Sequence, residues 1–420
     1  VSGDRRPVRA TLAVTIVAGL VYLLAVPLLR PEQVGVATDV YYHAGRTLLA
    51  GGDPYAVTPP AHPSFYFIYP PLVLLAFVPH VLTGSPLGAY LLQTAVNLAT
   101  AGVLAVVLVR ALEEADVALE RRDRLLIGGV VVASIHSIPV LVMGQVNLQL
   151  ALAIAVGAGL LERGREKRAG VAFALAAAVK LFPAVVGLWL LRQRSWRAVA
   201  AAVATGLGTV VAGAVVFGSG PTRTFFTAVL PGERQAGAFA GGLDPSAMFV
   251  TIRRPLAALL PGLGADALAL LALGILVPVV LAGARDVSSE VGRLLALLAT
   301  LLGMLLYLPL EPFYYSLLYY PLILALYRVG PGRSRRLLLS GTIVLSMVVS
   351  YPSVERLLVV LPLAPDTTAA LDAAARGIFS VAQPPLIGAL LLLAGCVSWH
   401  HERAARATGT AEPSERSTTK

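Results

Sequence analysis

Stretches of apolar residues long enough for a bilayer recur along this chain. A helix crosses the hydrocarbon core with ~20 such residues. Residues 12–29, 87–109, 199–217 and 265–284 are clear cases. Of the 420 residues, 57% are hydrophobic and only 13% are charged, with a mean hydropathy of +0.78. A soluble domain carries about 25% charged residues, so a soluble globular domain is excluded. No sustained period-two alternation appears, which argues against a transmembrane β-barrel. The fold class expected is all-α integral membrane, a polytopic helical bundle of about 12 spans.

Those spans fall near 11–29, 70–83, 87–109, 125–142, 144–161, 169–191, 198–217, 266–284, 293–310, 313–327, 337–351 and 384–399. The formal charge of +10 sits mainly in the loops between them. It therefore reads as a topology signal and not as a nucleic-acid surface. Arg5, Arg6 and Arg9 place the N-terminus in the cytoplasm, and His400, Arg403 and Arg406 do the same for the C-terminus. The first span is too long for a signal-peptide core and is expected to be retained. With twelve full spans the basic loops 110–124 and 163–168 face outward, against the rule. If 70–83 and 169–191 dip in and return, ten full spans remain and both loops become cytoplasmic. Residues 1–399 read as one transmembrane domain with outer loops 30–69, 218–264 and 351–383. Residues 400–420 read as a polar, disordered cytoplasmic tail. The single cysteine, Cys396, excludes an intrachain disulfide framework.

The first outer loop carries the densest chemistry. Residues 38–52 read as a short helix, capped by Thr38 or Asp39 and ended by Gly51-Gly52. Spacings of three, four and seven put Asp39, Tyr42, His43 and Arg46 on one face. A carboxylate near the bilayer surface can accept a proton from an acceptor hydroxyl, although an N-cap aspartate with no chemistry has the same spacing. His43 and Arg46 fit a site or a solvated helix face equally. Phe65-Tyr66-Phe67-Ile68-Tyr69 reads as an aromatic cluster at the membrane interface.

Polar residues in apolar surroundings are the other candidates. Gln145 and Asn147 interrupt a long apolar stretch, as a lined cavity or a clamp between helices would. Lys180 lies deep in its hydrophobic segment, where the alternative to function is a lysine snorkelling beside a Pro183 kink. Glu311 and Tyr314 stand at a predicted outer boundary, as a sugar anchor or an interfacial cap. The second outer loop offers Asp244, Ser246 and the pair Arg253-Arg254, whose charge on the outer side fits phosphate binding. No Asp-x-Asp, P-loop or Gly-x-Gly-x-x-Gly after a strand is found, which argues against a nucleotide-sugar enzyme of the soluble type and against an ATP-driven pump.

In order along the chain stand Asp39 with Tyr41-Tyr42-x-Ala44-Gly45, Gly52-Asp53-Pro54-Tyr55 and Tyr69-Pro70-Pro71-Leu72. Gly144-Gln145-x-Asn147, Lys180-Leu181-Phe182-Pro183 and a Ser246 loop ahead of Arg253 follow. In that order and spacing the chain resembles the polyprenol-phosphate-mannose-dependent mannosyltransferases, glycosyltransferase family 87. The resemblance runs from Asp39 to about Pro321. It implies the membrane glycosyltransferase architecture called GT-C, a lipid-phosphate-linked sugar as donor, and Asp39 as the general base of an inverting transfer. It implies a lipid or glycan acceptor on the extracytoplasmic face of the plasma membrane. No metal and no cofactor are expected, and the chain is expected to work as a monomer. Arg253, Arg254 and Lys180 are the cations for the leaving phosphate. Two departures are visible: Pro312-Phe313-Tyr314-Tyr315 stands where the family often has a Trp-acid-His-His stretch, and Asp244 where asparagine is common. A lipid-linked sugar flippase, a solute transporter or a non-catalytic envelope-assembly partner are the alternatives. The lack of an internal repeat counts against a transporter.

Overall fold

The computed structural model of the protein describes residues 4–233, 236–239 and 241–407. Among them there are helices and loops but no strand. In chain order the helices begin with α1 (Arg6–Leu29), α2 (Val36–Leu49), α3 (Leu74–Leu82), α4 (Pro86–Glu114), α5 (Arg121–Ala133), α6 (Ile138–Met143) and α7 (Asn147–Glu162). Next come α8 (Glu166–Val179), α9 (Val186–Arg192) and α10 (Trp196–Phe217). The second long loop holds α11 (Ser219–Thr224), α12 (Leu230–Gly232) and α13 (Arg253–Leu259). The chain continues through α14 (Ala265–Gly283), α15 (Glu290–Tyr307), α16 (Tyr319–Arg328), α17 (Arg333–Leu345), α18 (Tyr351–Val360), α19 (Pro365–Val381) and α20 (Pro384–Ala407).

Six helical stretches among the described residues are long and apolar enough to cross a bilayer. α15 is buried along nearly its whole length and forms the post around which the others pack. α10 and α14 leave Val203, Leu207, Leu270 and Leu281 exposed. Such a face suits lipid, since apolar patches this extensive are rare on soluble surfaces. The protein is thus a multi-pass helical membrane protein.

Other expected spans are interrupted, and proline marks each break. Stretch 125–142 divides into α5 and α6 ahead of Pro139. Stretch 169–191 divides at Lys180 into α8, a 3-10 turn Phe182–Val185 containing Pro183, and α9. Stretch 313–327 begins as a 3-10 helix, Pro312–Leu318, before α16. Proline lacks the N–H that would continue a helix behind it, so it begins one instead.

Ion pairs and backbone contacts draw the basic helix ends to one end of the bundle. Arg9 binds Asp123 at 2.8 Å, tying the start of α1 to α5. Arg335 donates to the Asp4 carbonyl at 2.7 Å. Arg124 binds Glu113, and Arg163 binds Glu114 at 2.5 Å. Arg293 pairs with Glu162, and its carbonyl accepts from the Trp189 indole at 2.9 Å. Arg328–Glu290 and Arg403–Asp286, each at 2.5 Å, complete the set. The end of α7 and the end of α9 both meet Arg293, so α8 leaves this end of the bundle and α9 returns to it.

Three expectations need correction. The first-loop helix starts at Val36 after Gly35 at φ +73°, so neither Thr38 nor Asp39 is its cap. Thr38 donates to the Gly35 carbonyl at 2.8 Å, and Asp39 faces two histidines instead. The 65–69 run is not a uniform interface belt: Phe65 and Tyr66 are exposed while Phe67 and Tyr69 are buried with Tyr41 and Phe77. Residues 400–407 continue α20, with the His400 ring on the Gly283 carbonyl at 2.8 Å. The rest of the expected tail lies outside the described residues.

α8 and α10 pack closely at Gly170, where an added Cβ would run into the Ala198 carbonyl oxygen. Small residues let membrane helices approach in this way. Gly170→Leu is expected to abolish the monodisperse gel-filtration peak of purified protein. Gly208→Leu, on the open face of α10, is expected to preserve it. Equal behaviour of the two variants would show that the α8–α10 contact is not required.

Candidate functional site

At the end of the bundle away from the basic cluster, the helix breaks converge. Gly144 at φ +71° turns the chain between α6 and α7, and an added Cβ there would also strike Thr38 of α2. The Gly35 N–H binds the Val142 carbonyl at 2.8 Å, fixing α2 against the same turn. Lys180 sits at the α8 break, in extended backbone at φ −131° and ψ 128°.

The Lys180 ammonium donates to Asn147 Oδ1 at 2.9 Å, Tyr314 Oη at 3.1 Å and Gln145 Oε1 at 3.2 Å. It also lies over the Tyr314 ring at 4.5 Å and the Tyr69 ring at 5.4 Å. Gln145 Oε1 further accepts from Tyr41 and Tyr69, each at 3.3 Å, and those two hydroxyls lie 2.9 Å apart. All three ammonium protons are therefore spent on neutral oxygens. No carboxylate makes a salt bridge to Lys180 among the described residues. Glu233 and Glu311 act on it only at longer range. Burying a charge without a counter-charge is costly, and the three oxygens and two aromatic rings around the ammonium offset part of that cost.

Asp39 is 6% exposed and lies one turn into α2. Its Oδ2 meets His62 Nδ1 at 2.8 Å, and its Oδ1 meets His43 Nε2 at 3.3 Å. His62 Nε2 faces the Glu32 carbonyl at 3.0 Å. Both nitrogens of His62 thus face oxygen atoms. Each imidazole addresses a different carboxylate oxygen, His62 through a hydrogen bond and His43 through a longer ion-pair contact. Tyr41, two residues on, ties this helix to the Lys180 network.

The other expected residues separate clearly. Tyr42 is buried edge-on to the His43 ring at 5.3 Å. Arg46 is exposed and stands apart from the network. Glu311 is half-buried at the foot of the Tyr314 segment. Asp244 accepts from Ser246 N at 2.7 Å and Ser246 Oγ at 2.6 Å. Those bonds hold its carboxyl below the usual range and close a local turn. Arg254 is fully buried with its donors spent on backbone carbonyls of Ala247, Phe249 and Phe379. It acts as a loop anchor, with three of its five N–H donors on backbone carbonyls and no exposed surface.

Three contributors escaped the sequence reading. Tyr41 lies off the face counted from Asp39. His62 stands among Pro59, Pro60 and Pro63, a stiff loop that was itself a signal. Glu233 is one of two acids in 218–264. It accepts from Tyr66 Oη at 3.2 Å, and burial raises its carboxyl above the usual range.

The glycosyltransferase family 87 model matches residues 67–309, more than half of the chain. The chain belongs to glycosyltransferase family 87. It is therefore a glycosyltransferase, and the matched region holds Tyr69, Gln145, Asn147, Lys180 and Arg253, while Asp39 lies before it and Tyr314 after it. Neither a curated protein nor a solved structure matches the chain.

The network generates a test of whether Lys180 serves the fold or a ligand. Asn147→Leu removes the shortest bond to the ammonium and is expected to destabilise the enzyme by about 3 kcal/mol. Lys180→Met removes the charge itself and is expected to lie within about 1 kcal/mol of wild type. Thermal unfolding in detergent reads both. A loss as large in Lys180→Met as in Asn147→Leu would make the lysine a structural clamp.

Proposed function

We propose that the enzyme moves a hexose, mannose first among them, from a polyprenyl-phosphate donor to a lipid or glycan acceptor. The transfer inverts the anomeric centre and takes place on the extracytoplasmic face of the plasma membrane. The observation that carries the reading is an apolar groove of about 540 Å³ between α8 and α10. Its lining includes Val179 and Leu181, the residues on either side of Lys180, and the exposed side chains Leu175, Val203 and Leu207. The groove is apolar and lipid-facing, and the residues flanking Lys180 form part of its wall, which fits a long apolar chain whose phosphate comes close to that lysine.

In this mechanism the polyprenyl chain lies in the groove and the phosphate meets Lys180. The acceptor oxygen attacks the anomeric carbon as its proton passes to Asp39. The bond from that carbon to the phosphate oxygen breaks with its electron pair, and the charge gained by the phosphate is stabilised by the ammonium. Tyr314 and Gln145 keep Lys180 aimed, and His43 and His62 keep Asp39 aimed. The chemistry uses no metal, and a monomer supplies every group named.

The orientation belongs to the same proposal. Basic ends gathered at one end of the bundle mark the cytoplasmic side, which puts both termini inside and the site outside. Ten crossings, with 70–83 and α8–α9 turning back, satisfy every basic loop, and a GT-C type bundle accommodates them.

Sugar transfer by purified protein in lipid tests the reading, with radiolabelled polyprenyl-phosphate mannose and glucose as donors and a membrane lipid extract as acceptor pool. Wild type is expected to transfer, and folded Asp39→Asn to lose about 10²–10⁴-fold in kcat. Survival of transfer in that variant would remove Asp39 as base. Transfer from neither donor, with lipid scrambling in its place, would favour the flippase reading.

The groove has its own test. Gly206 lines it and faces open space, so Gly206→Trp fills the groove without crowding a neighbour. KM for a long-chain polyprenyl donor is expected to rise about tenfold, while a citronellyl-phosphate sugar, with its short chain, is used as by wild type. Unchanged KM for the long donor would place the lipid chain elsewhere.

A further inference from the structure

Arg253 and Arg254 adjoin in sequence but have opposite surroundings. Arg254 spends its guanidinium on three backbone carbonyls, among them Phe379 O at 2.5 Å. Arg253 is only 8% exposed, yet its guanidinium forms no hydrogen bond or ion pair with any described residue, and its Nε is buried without a partner. What holds it is aromatic: the guanidinium carbon lies 4.4 Å from the Tyr307 ring centre and 5.5 Å from that of Phe239. The rings fix a planar fork of five N–H donors in one direction while accepting none of them. A guanidinium Nε buried without a partner is costly, and an anion at the fork would supply one.

The position narrows the anion. Ile252 N donates to Leu306 O at 2.9 Å, and Thr251 Oγ1 to the same carbonyl at 2.8 Å, which seats Arg253 against the last turn of α15. That turn is at the end of the bundle opposite the basic cluster, where a membrane helix meets the lipid headgroups. Tyr307, the last residue of α15, packs on Arg253, and the segment that follows α15 supplies Tyr314 to Lys180.

We infer that Arg253 is a binding site for the phosphate group of a membrane lipid. Two lipids offer that chemistry: a polyprenyl phosphate and an anionic phospholipid. The first source rests on the transferase reading above; the site itself does not.

The test is binding by the full chain in dodecyl maltoside, a detergent without phosphate. The probes are citronellyl phosphate, dioctanoyl phosphatidylglycerol and inorganic phosphate, with citronellol and dioctanoylglycerol as uncharged controls. The rise of the thermal unfolding midpoint with ligand concentration gives the affinity. At least one phosphate-bearing lipid is expected to stabilise wild type when its uncharged counterpart does not. Arg253→Met is expected to bind that lipid about tenfold more weakly, and Arg253→Lys, which keeps the charge and loses the fork, to fall between. Stabilisation by citronellyl phosphate alone assigns the site to the donor, and by phosphatidylglycerol alone to a phospholipid. Wild-type affinity in Arg253→Met overturns the inference, as does protection by inorganic phosphate equal to that by the lipids. Where Arg253→Met does not fold, Arg253→Lys decides, and unchanged affinity there overturns it. The measurement needs no sugar transfer. A protein that transfers neither mannose nor glucose yet binds phosphatidylglycerol through Arg253 would sink the transferase mechanism and keep this site.

Discussion

A buried ammonium ringed by neutral oxygens governs the architecture of the site. Lys180 takes its three partners from three separate places: the turn between α6 and α7, the start of α7, and the 3-10 helix ahead of α16. A continuous helix spends its polar backbone groups internally, which is what a membrane favours. Three expected spans give up that continuity, at Ser134–Ser137, at Lys180 and at Pro312. Two of these breaks bring a polar side chain to the lysine directly or open the turn that does so. Irregular backbone inside a membrane protein is tolerated where it is shielded by protein or lines a cavity, and here it does both.

Behind the ammonium stands a ladder of amides that fixes the turn. The Gln145 carbonyl accepts from Asn97 Nδ2 at 3.1 Å and Gln93 Nε2 at 3.4 Å, both from α4. Gln93 in turn meets His80 at 2.9 Å, and Asn97 Oδ1 accepts from Gln149 at 2.9 Å. In apolar surroundings an amide without a partner is expensive, so each member has few alternatives and the chain of bonds holds one arrangement. The side-chain oxygen of Gln145 then points at Lys180 because its backbone is held from behind and Tyr41 and Tyr69 hold it from the side.

Much of this was legible in the sequence, and the reasons for the rest are physical. Tyr69, Gln145, Asn147, Lys180 and Tyr314 stood out because polar groups in apolar runs must find partners, and they find one another. Arg254 finds backbone carbonyls instead, and composition does not distinguish a guanidinium held by carbonyls from one that meets a ligand. Helix existence was readable from apolar length, while the breaks at Ser134–Ser137 and Pro312 were read through, because apolar length alone does not weigh the Ser-Ile-His-Ser run or the prolines that mark them. Tyr41 was missed by counting only the face of Asp39. His62 was missed because a contact across twenty-three residues leaves no periodicity to read.

The departure from the family at Pro312-Phe313-Tyr314-Tyr315 gains a physical sense from these contacts. No imidazole stands in that segment, and the ring that does, Tyr314, serves the cation. The imidazoles lie in the first outer loop, on the carboxylate. His62 bridges the Asp39 carboxylate and the Glu32 carbonyl, so one ring joins α2 to the chain that enters it. It belongs to the loop whose Phe67 and Tyr69 are packed beneath against Tyr41 and Phe77. Asp39 is oriented only while that loop is seated, and the loop is seated only while Tyr69 fills its place beside Gln145 and Lys180. Orientation of Asp39 and assembly of the cation network are therefore one packing event, joined through α2 and not through any direct contact between the two charges.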